Sequence, residues 1–194
     1  DNTLPTFTRP ADITLYKDAA CAVNDTPTGL ALDVTNEADN CSTGLNATYS
    51  DVKVDNCQGT YTITRTWSLV DNCGNAAADQ VQTITVKDEI APTFTRPIDL
   101  TVYTDASCNY DVSLSATGDV TNEADNCSTG IQATFVDAAP VPIVGCQGGY
   151  TIARTWSLVD NCGNAAADQV QTITVKDNTL PTFTRPADIT LYKD

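Results

Sequence analysis

The chain has 194 residues, 25 acidic against 10 basic, for a net charge of −15 without a single histidine. That balance excludes partners whose phosphates need a basic surface, nucleic acid and anionic membrane faces alike, and no apolar run is long enough to span a bilayer. It suits a soluble, self-repelling chain that attracts divalent cations.

Short stretches rich in Thr, Val and Ile, punctuated by Gly, Pro, Asn and Asp, predict an all-β chain without helical periodicity. In chain order the expected strands are 13–16, 30–34, 45–49, a long strand at 61–70 and a last one at 81–86. The pattern then starts again. Residues 65–88 (RTWSLVDNCGNAAADQVQTITVKD) recur letter for letter at 154–177, and residues 1–18 recur at 177–194. The expected domains are therefore repeat 1 at 1–87, repeat 2 at 88–176 and the first strand of a third at 177–194. Each repeat has the size of one small immunoglobulin-like β-sandwich, and repetition adds length and valency without new chemistry.

Strand alternation selects an inward face: Ile13 and Leu15, then Leu30, Leu32 and Val34, Leu45, Ala47 and Tyr49, Ile63, Trp67 and Leu69, Ile84 and Val86. Trp67 and its counterpart Trp156 are the expected core anchors. Arg65 shares the inward parity, so it needs a carboxylate or an aromatic partner, because an unpaired buried charge is expensive.

Eight cysteines, four per repeat, with neither CxxC nor histidine, indicate disulfides in an oxidising compartment rather than a zinc site. In an immunoglobulin-like sandwich, alternate loops lie at opposite ends. That places Cys41 and Cys73 at the starting end of repeat 1, and Cys21 and Cys57 at the other. The expected bridges are Cys21 with Cys57, Cys41 with Cys73, Cys108 with Cys146 and Cys127 with Cys162, each contributing roughly 2–4 kcal/mol.

Three segments together, APTFTRPIDLTV, RTWSLVDNCGN and QTITVKD, resemble hyalin (HYR-like) repeats, in the version found in very large surface adhesins of gliding bacteria. The resemblance covers both repeats. It implies immunoglobulin-like sandwiches strung into stalks outside the cell, serving adhesion or spacing rather than catalysis. One departure is that the family's cysteine before the first proline is replaced by Arg9 and Arg96, and its partner near the last strand by Asp79–Gln80 and Asp168–Gln169. An Arg9–Asp79 ion pair is the expected substitute for that bridge.

Hard oxygen donors gather in the loops at the starting end of each repeat: Glu37, Asp39 and Asp71 in the first, Glu123, Asp125 and Asp160 in the second, with Asp88 and Glu89 from the linker. Convergent carboxylates are what Ca²⁺ prefers, although Asp and Asn are also ordinary turn residues and no EF-hand loop is present. Catalysis has no support from a histidine base, a nucleophile elbow or a phosphate loop. The sequons at Asn24, Asn40, Asn46 and Asn126 are read as chance. Repeat 2 is longer than repeat 1 at 138–144, the expected variable tip. The expected function is an extracellular stalk or surface filament whose partners are neighbouring repeats of the same or identical chains. The alternative is a calcium-dependent module binding a surface glycan or protein through that tip.

Overall fold

The computed structural model describes residues 1–27, 33–191 and 193. Its strands are β1 (Thr6–Thr8), β2 (Ile13–Tyr16), β3 (Thr35–Ala38), β4 (Thr48–Cys57), β5 (Thr60–Ser68), β6 (Gln80–Lys87), β7 (Thr93–Thr95) and β8 (Leu100–Tyr103), then β9 (Thr121–Ala124), β10 (Thr134–Asp137), β11 (Val141–Pro142), β12 (Tyr150–Ser157) and β13 (Gln169–Lys176). A single helical turn, α1 (Leu114–Thr117), precedes β9. The chain is all-β, as expected. It forms two compact units: unit 1 holds Asp1–Thr95, Val120–Thr134 and Ser157–Asp168, and unit 2 holds Arg96–Asp119, Phe135–Trp156 and Gln169–Asp194.

Unit 1 contains a four-stranded sheet in the order β2-β6-β5-β4, with β2 parallel to β6 and the other pairings antiparallel. Two short antiparallel ribbons, β1 with β3 and β7 with β9, belong to the same unit. Strict alternation along β5 turns Tyr61, Ile63, Arg65 and Trp67 inward, because successive side chains of a strand point to opposite faces. Two apolar clusters result. One gathers Leu15, Tyr61, Ile63, Ile84 and Val86. The other joins Phe7 and Val34 to Trp67 and Leu69. Buried Gln82 lies beside Trp67, accepting from its Nε1 at 3.4 Å and donating to Ala11 O at 2.9 Å, so neither amide end is orphaned.

Unit 2 orders its strands β10-β12-β13-β8, with β11 added on β12. Ile152, Ile173 and Val175 form its core with Leu100, Val102 and Val112. Trp156 stacks on Phe135 at 5.0 Å and donates to buried Gln171 at 3.4 Å. Both tryptophans are thus the core anchors expected of them. The segment 177–191 carries no strand and lies exposed. Phe183 is 91% exposed, whereas its counterpart Phe7 is 7% exposed.

Strands at 13–16 and near 81–86 appear where the pattern placed them, and the long strand ends two residues early, at Ser68. Leu30 and Leu32 lie outside the described residues. Of the strand expected at 45–49 only Thr48 and Tyr49 are in a strand, the first two residues of the ten-residue β4, which is exposed along almost its whole length. Alternation reports burial, and β4 has little. Tyr49 is accordingly exposed, although its ring rests against Trp67 at 5.2 Å. The Arg9–Asp79 pair is not made: Arg9 reaches Asp12 at 2.7 Å, and Asp79 accepts from Ser68 Oγ. The i,i+3 spacing is the shorter reach for the guanidinium.

Candidate functional site

The disulfides correct the expected pairing. Cys21 is bonded to Cys127 with a Cα–Cα distance of 5.0 Å, and Cys57 to Cys162 at 5.4 Å, while Cys41, Cys73, Cys108 and Cys146 are free thiols. Neither bridge closes a repeat on itself. In unit 1, the loop after β2 and the β4–β5 turn meet the loops that follow β9 and β12, so each bridge joins one sequence repeat to the next. Placing Cys21 and Cys57 in loops of a common end was sound; the error lay in closing them on each other. The partners instead arrive from the counterparts of Cys41 and Cys73.

The β4–β5 turn shows how closely the loops meet. Gly59 has φ +87°, and a Cβ there would lie 2.6 Å from Cys127 Cβ and 2.7 Å from its Sγ. Only glycine fits both the backbone and the contact. Beside it, Gln58 accepts from Thr129 N at 2.8 Å and donates to Thr129 Oγ1 at 3.3 Å.

Next to these bridges lies a buried acidic centre. Asp88, Asp125 and Asp160 each place one carboxylate oxygen within 4.8 Å of the other two. Asp88 is only 4% exposed and Asp160 only 7%. Each aspartate is fixed by its own turn. Asp125 Oδ2 accepts from the amides of Cys127 and Ser128 at 2.9 and 2.6 Å. Asp160 Oδ1 accepts from Cys162 and Asn164 at 2.8 and 2.7 Å, and Oδ2 accepts from Asn164 Nδ2 at 2.7 Å. Asn126 Nδ2 reaches Asp88 Oδ1 at 3.1 Å and Asp18 O at 3.0 Å. After all of this, Asp88 Oδ2, Asp125 Oδ1 and Asn126 Oδ1 are buried acceptors without a donor.

The same centre is built once more from repeat 1. Asp1, Asp39 and Asp71 cluster within the same 4.8 Å limit, and Asp39 Oδ1 is likewise a buried acceptor without a donor. The turn amides of Cys41 and then Ser42 hold Asp39 below the usual carboxylate range. Asp71 is lowered first by the Asn75 side-chain amide and then by the backbone of its own turn. Hydrogen bonds to the charged form favour it.

Five of the eight carboxylates expected at the cation sites are thus brought together: Asp39 and Asp71 in one cluster, Asp88, Asp125 and Asp160 in the other. Three are not. Glu37 and Glu123 turn away to accept from the backbone amides of Ala47 and Ala133, which brace the loop after each short strand. Glu89 faces Lys87 at 3.8 Å on the surface. Asp1 was missed, though the repeat maps it onto Asp88 and that correspondence is the signal that could have found it.

Arg65 has the partners its parity demanded. It is 2% exposed, and it makes a bidentate pair with Asp51 at 2.8 and 2.9 Å beneath the Tyr49 ring at 4.5 Å. Arg154 repeats the arrangement with Asp137 and Phe135, and adds bonds to Thr117 Oγ1 and Val112 O at 2.7 Å each. Both guanidiniums are held by carboxylates of their own unit and act as core ties.

No protein-family model and no curated protein matches the chain. Among solved structures it is similar to the crystal structure of human mucin-like protocadherin EC1-2, with 10% sequence identity and a TM-score of 0.34, over 89% of this chain and 98% of that one. Likeness at that level assigns no family, and the functional reading rests on the cysteines and aspartates.

Proposed function

We propose that the chain is part of an extracellular array of disulfide-bonded β-sandwich repeats of the hyalin-repeat type, acting as a stalk or surface filament and holding Ca²⁺ at its aspartate centres. One observation carries the reading: the disulfides join successive repeats instead of closing each one. A bridge inside a repeat stabilises that repeat alone. A bridge from one repeat to the next carries tension past both, which is the requirement of a tether. Disulfides also suit an oxidising compartment, and no helix among the described residues is long and apolar enough to cross a membrane.

The donors fit a hard cation. Asp88, Asp125 and Asp160, with Asn126 Oδ1, offer oxygen ligands of the kind Ca²⁺ takes, and buried acceptors left without donors are costly until something positive meets them. Bound there, Ca²⁺ would offset the repulsion of three carboxylates and fix the loops that carry Cys127 and Cys162. An exposed tip at 138–144, with Val141 and Val144 bare to solvent, supports a second role as a contact surface for a glycan or protein.

The test is thermal melting with Ca²⁺ and with chelator. The proposal expects a higher Tm with Ca²⁺, and loss of that increment in the double variant Asp88→Asn/Asp160→Asn. Superimposable melts in both buffers would remove the cation from the account.

A further inference from the structure

β4 is the end strand of its sheet, and among the described residues no strand pairs with its outer edge. An edge strand presents a row of unpaired N–H and C=O groups, a template for another strand. At ten residues β4 is long for that position, and it carries no proline. Its outer face is apolar in the middle, with Val52 64% and Val54 57% exposed. Repeat 2 treats the same edge differently. There residues 138–145 take the place of 52–56, the strand is split into β10 and β11, and Pro140 and Pro142 each lack an N–H, a device that blunts edges. β4 has a repeat after it and β10 a repeat before it, yet both end their sheets. Among the described residues, then, a serial neighbour does not take this edge.

We infer that β4 pairs antiparallel with β4 of a second copy of this chain, centred on Val52. Charge sets the register. The outward backbone groups of an edge strand come from every second residue, and facing residues must be of the same kind, so a two-fold pairing is centred on a residue that faces its own copy. Centred on Asp51, the pairing sets Asp51 against Asp51. Centred on Lys53, it sets Lys53 against Lys53 and Asp51 against Asp55. Like charges directly opposite are destabilising. Centred on Ser50, it leaves Lys53 and Asp55 beyond the overlap, and centred on Val54, it runs into the irregularity between Asp55 and Cys57. Centred on Val52, it sets Val52 against Val52, Ser50 against Val54 and Tyr49 against Asp55, and it sets Asp51 against Lys53 on both sides of the centre. All of these residues lie within the regular stretch of β4.

A net charge of −15 per chain opposes contact between copies, so a face that they share has to be neutral by itself. This one is. Arg65, Asp51, Lys53 and Asp55 lie on one side of the edge, two of each sign, with Arg65 on Asp51 at 2.8 Å and Lys53 on Asp55 at 3.0 Å. Each Asp51 oxygen takes one donor from Arg65 and has capacity for another, and the side chain is 30% exposed, so the second copy's lysine can reach it. On the opposite side of the sheet, Val52 and Val54 of both copies come together in one row and leave water, which favours the pairing.

Neither calcium nor a disulfide enters this pairing, so its failure would leave the reading as a stalk standing, and loss of the calcium response would leave the pairing standing. The full oxidised chain, with its free thiols alkylated, is sedimented over a concentration series at physiological salt with chelator present. A monomer–dimer equilibrium is expected. Val52→Lys and Val52→Glu each put like charges face to face at the centre, on a side chain that water already reaches. Each variant alone should be monomeric at a concentration where the parent is a dimer, and their equimolar mixture should dimerise again, because the two then face each other with opposite charge. A parent that stays monomeric to millimolar concentration would overturn the inference and leave the edge to a strand of another protein. A dimer of either variant alone, or a mixture that stays monomeric, would overturn it as well.

Discussion

Replacing Asp51 by Ala removes the carboxylate that holds Arg65 without touching the apolar core. The guanidinium is 2% exposed and would keep its bond from Nη2 to Asp25 O at 3.0 Å. Stranding a buried charge costs about 3–5 kcal/mol. The Asp51 side chain is itself 30% exposed, so water can reach part of the gap and the low end applies, about 3 kcal/mol. In repeat 2, Arg154 would keep Thr117 Oγ1 and Val112 O after Asp137→Ala. The cost there should be smaller by about one neutral hydrogen bond, about 1 kcal/mol. The double variant Arg65→Met/Asp51→Ala should lie within about 1 kcal/mol of the parent, because it removes the buried charge along with its partner. Guanidinium unfolding followed by circular dichroism reads all three. Asp51→Ala within about 0.5 kcal/mol of the parent, the scatter of ordinary surface substitutions, would refute the account of Arg65 as a carboxylate-dependent core tie.

The other expectations concern the turns and bridges. Gly59→Ala should destabilise more than Gly148→Ala in melts of the single variants, since both put Cβ on a positive φ but only the first collides with Cys127. Equal effects would contradict the packing described for the bridge. Opening the larger ring with Cys21→Ser/Cys127→Ser, which spans a sequence separation of 106, should cost up to about 4.7 kcal/mol of chain entropy, read from denaturant midpoints. Melts from pH 7 to pH 3 should show stability held above pH about 4 and falling below it. Asp39, Asp18 and Asp105 are depressed in the folded protein mainly by backbone amides of their turns, and Asp71 first by the Asn75 side chain. Depressed carboxylates contribute stability that is present above their unfolded pKa, near 3.9, and lost on acidification through the folded value. A Tm unchanged down to pH 3 would contradict those bonds.

What the sequence disclosed follows from what each signal reports. Period-two alternation marks half-buried strands, so β2, β5 and β6 and the inward set Leu15, Ile63, Trp67, Ile84 and Val86 could be read directly. It caught only the first two residues of β4, which is exposed along almost its whole length, and was silent on β1 and β3, which are three and four residues long. Inward parity alone foretold that Arg65 would be paired. The cysteine count and the clustering of aspartates in two loops were legible too. Cysteine connectivity was not, because four positions per repeat admit bridges that leave the repeat, and a reading confined to one sandwich never considers them. The glutamates were misplaced for a related reason. Carboxylates share a charge, but only Asp is short enough to accept from its own turn amides and still present its second oxygen to a neighbour, while Glu37 and Glu123 reach across to other backbone.

Stretching the oxidised chain by its two ends, with its four free thiols alkylated, tests the covalent joint between repeats most directly. With Cys21 bonded to Cys127 and Cys57 to Cys162, the shortest covalent path counts roughly 90 residues, about 310 Å when fully extended. Reductant should then release the chain to about 680 Å. A plateau near 420 Å before reduction, the length that bridges closed within each repeat would leave, would contradict the account.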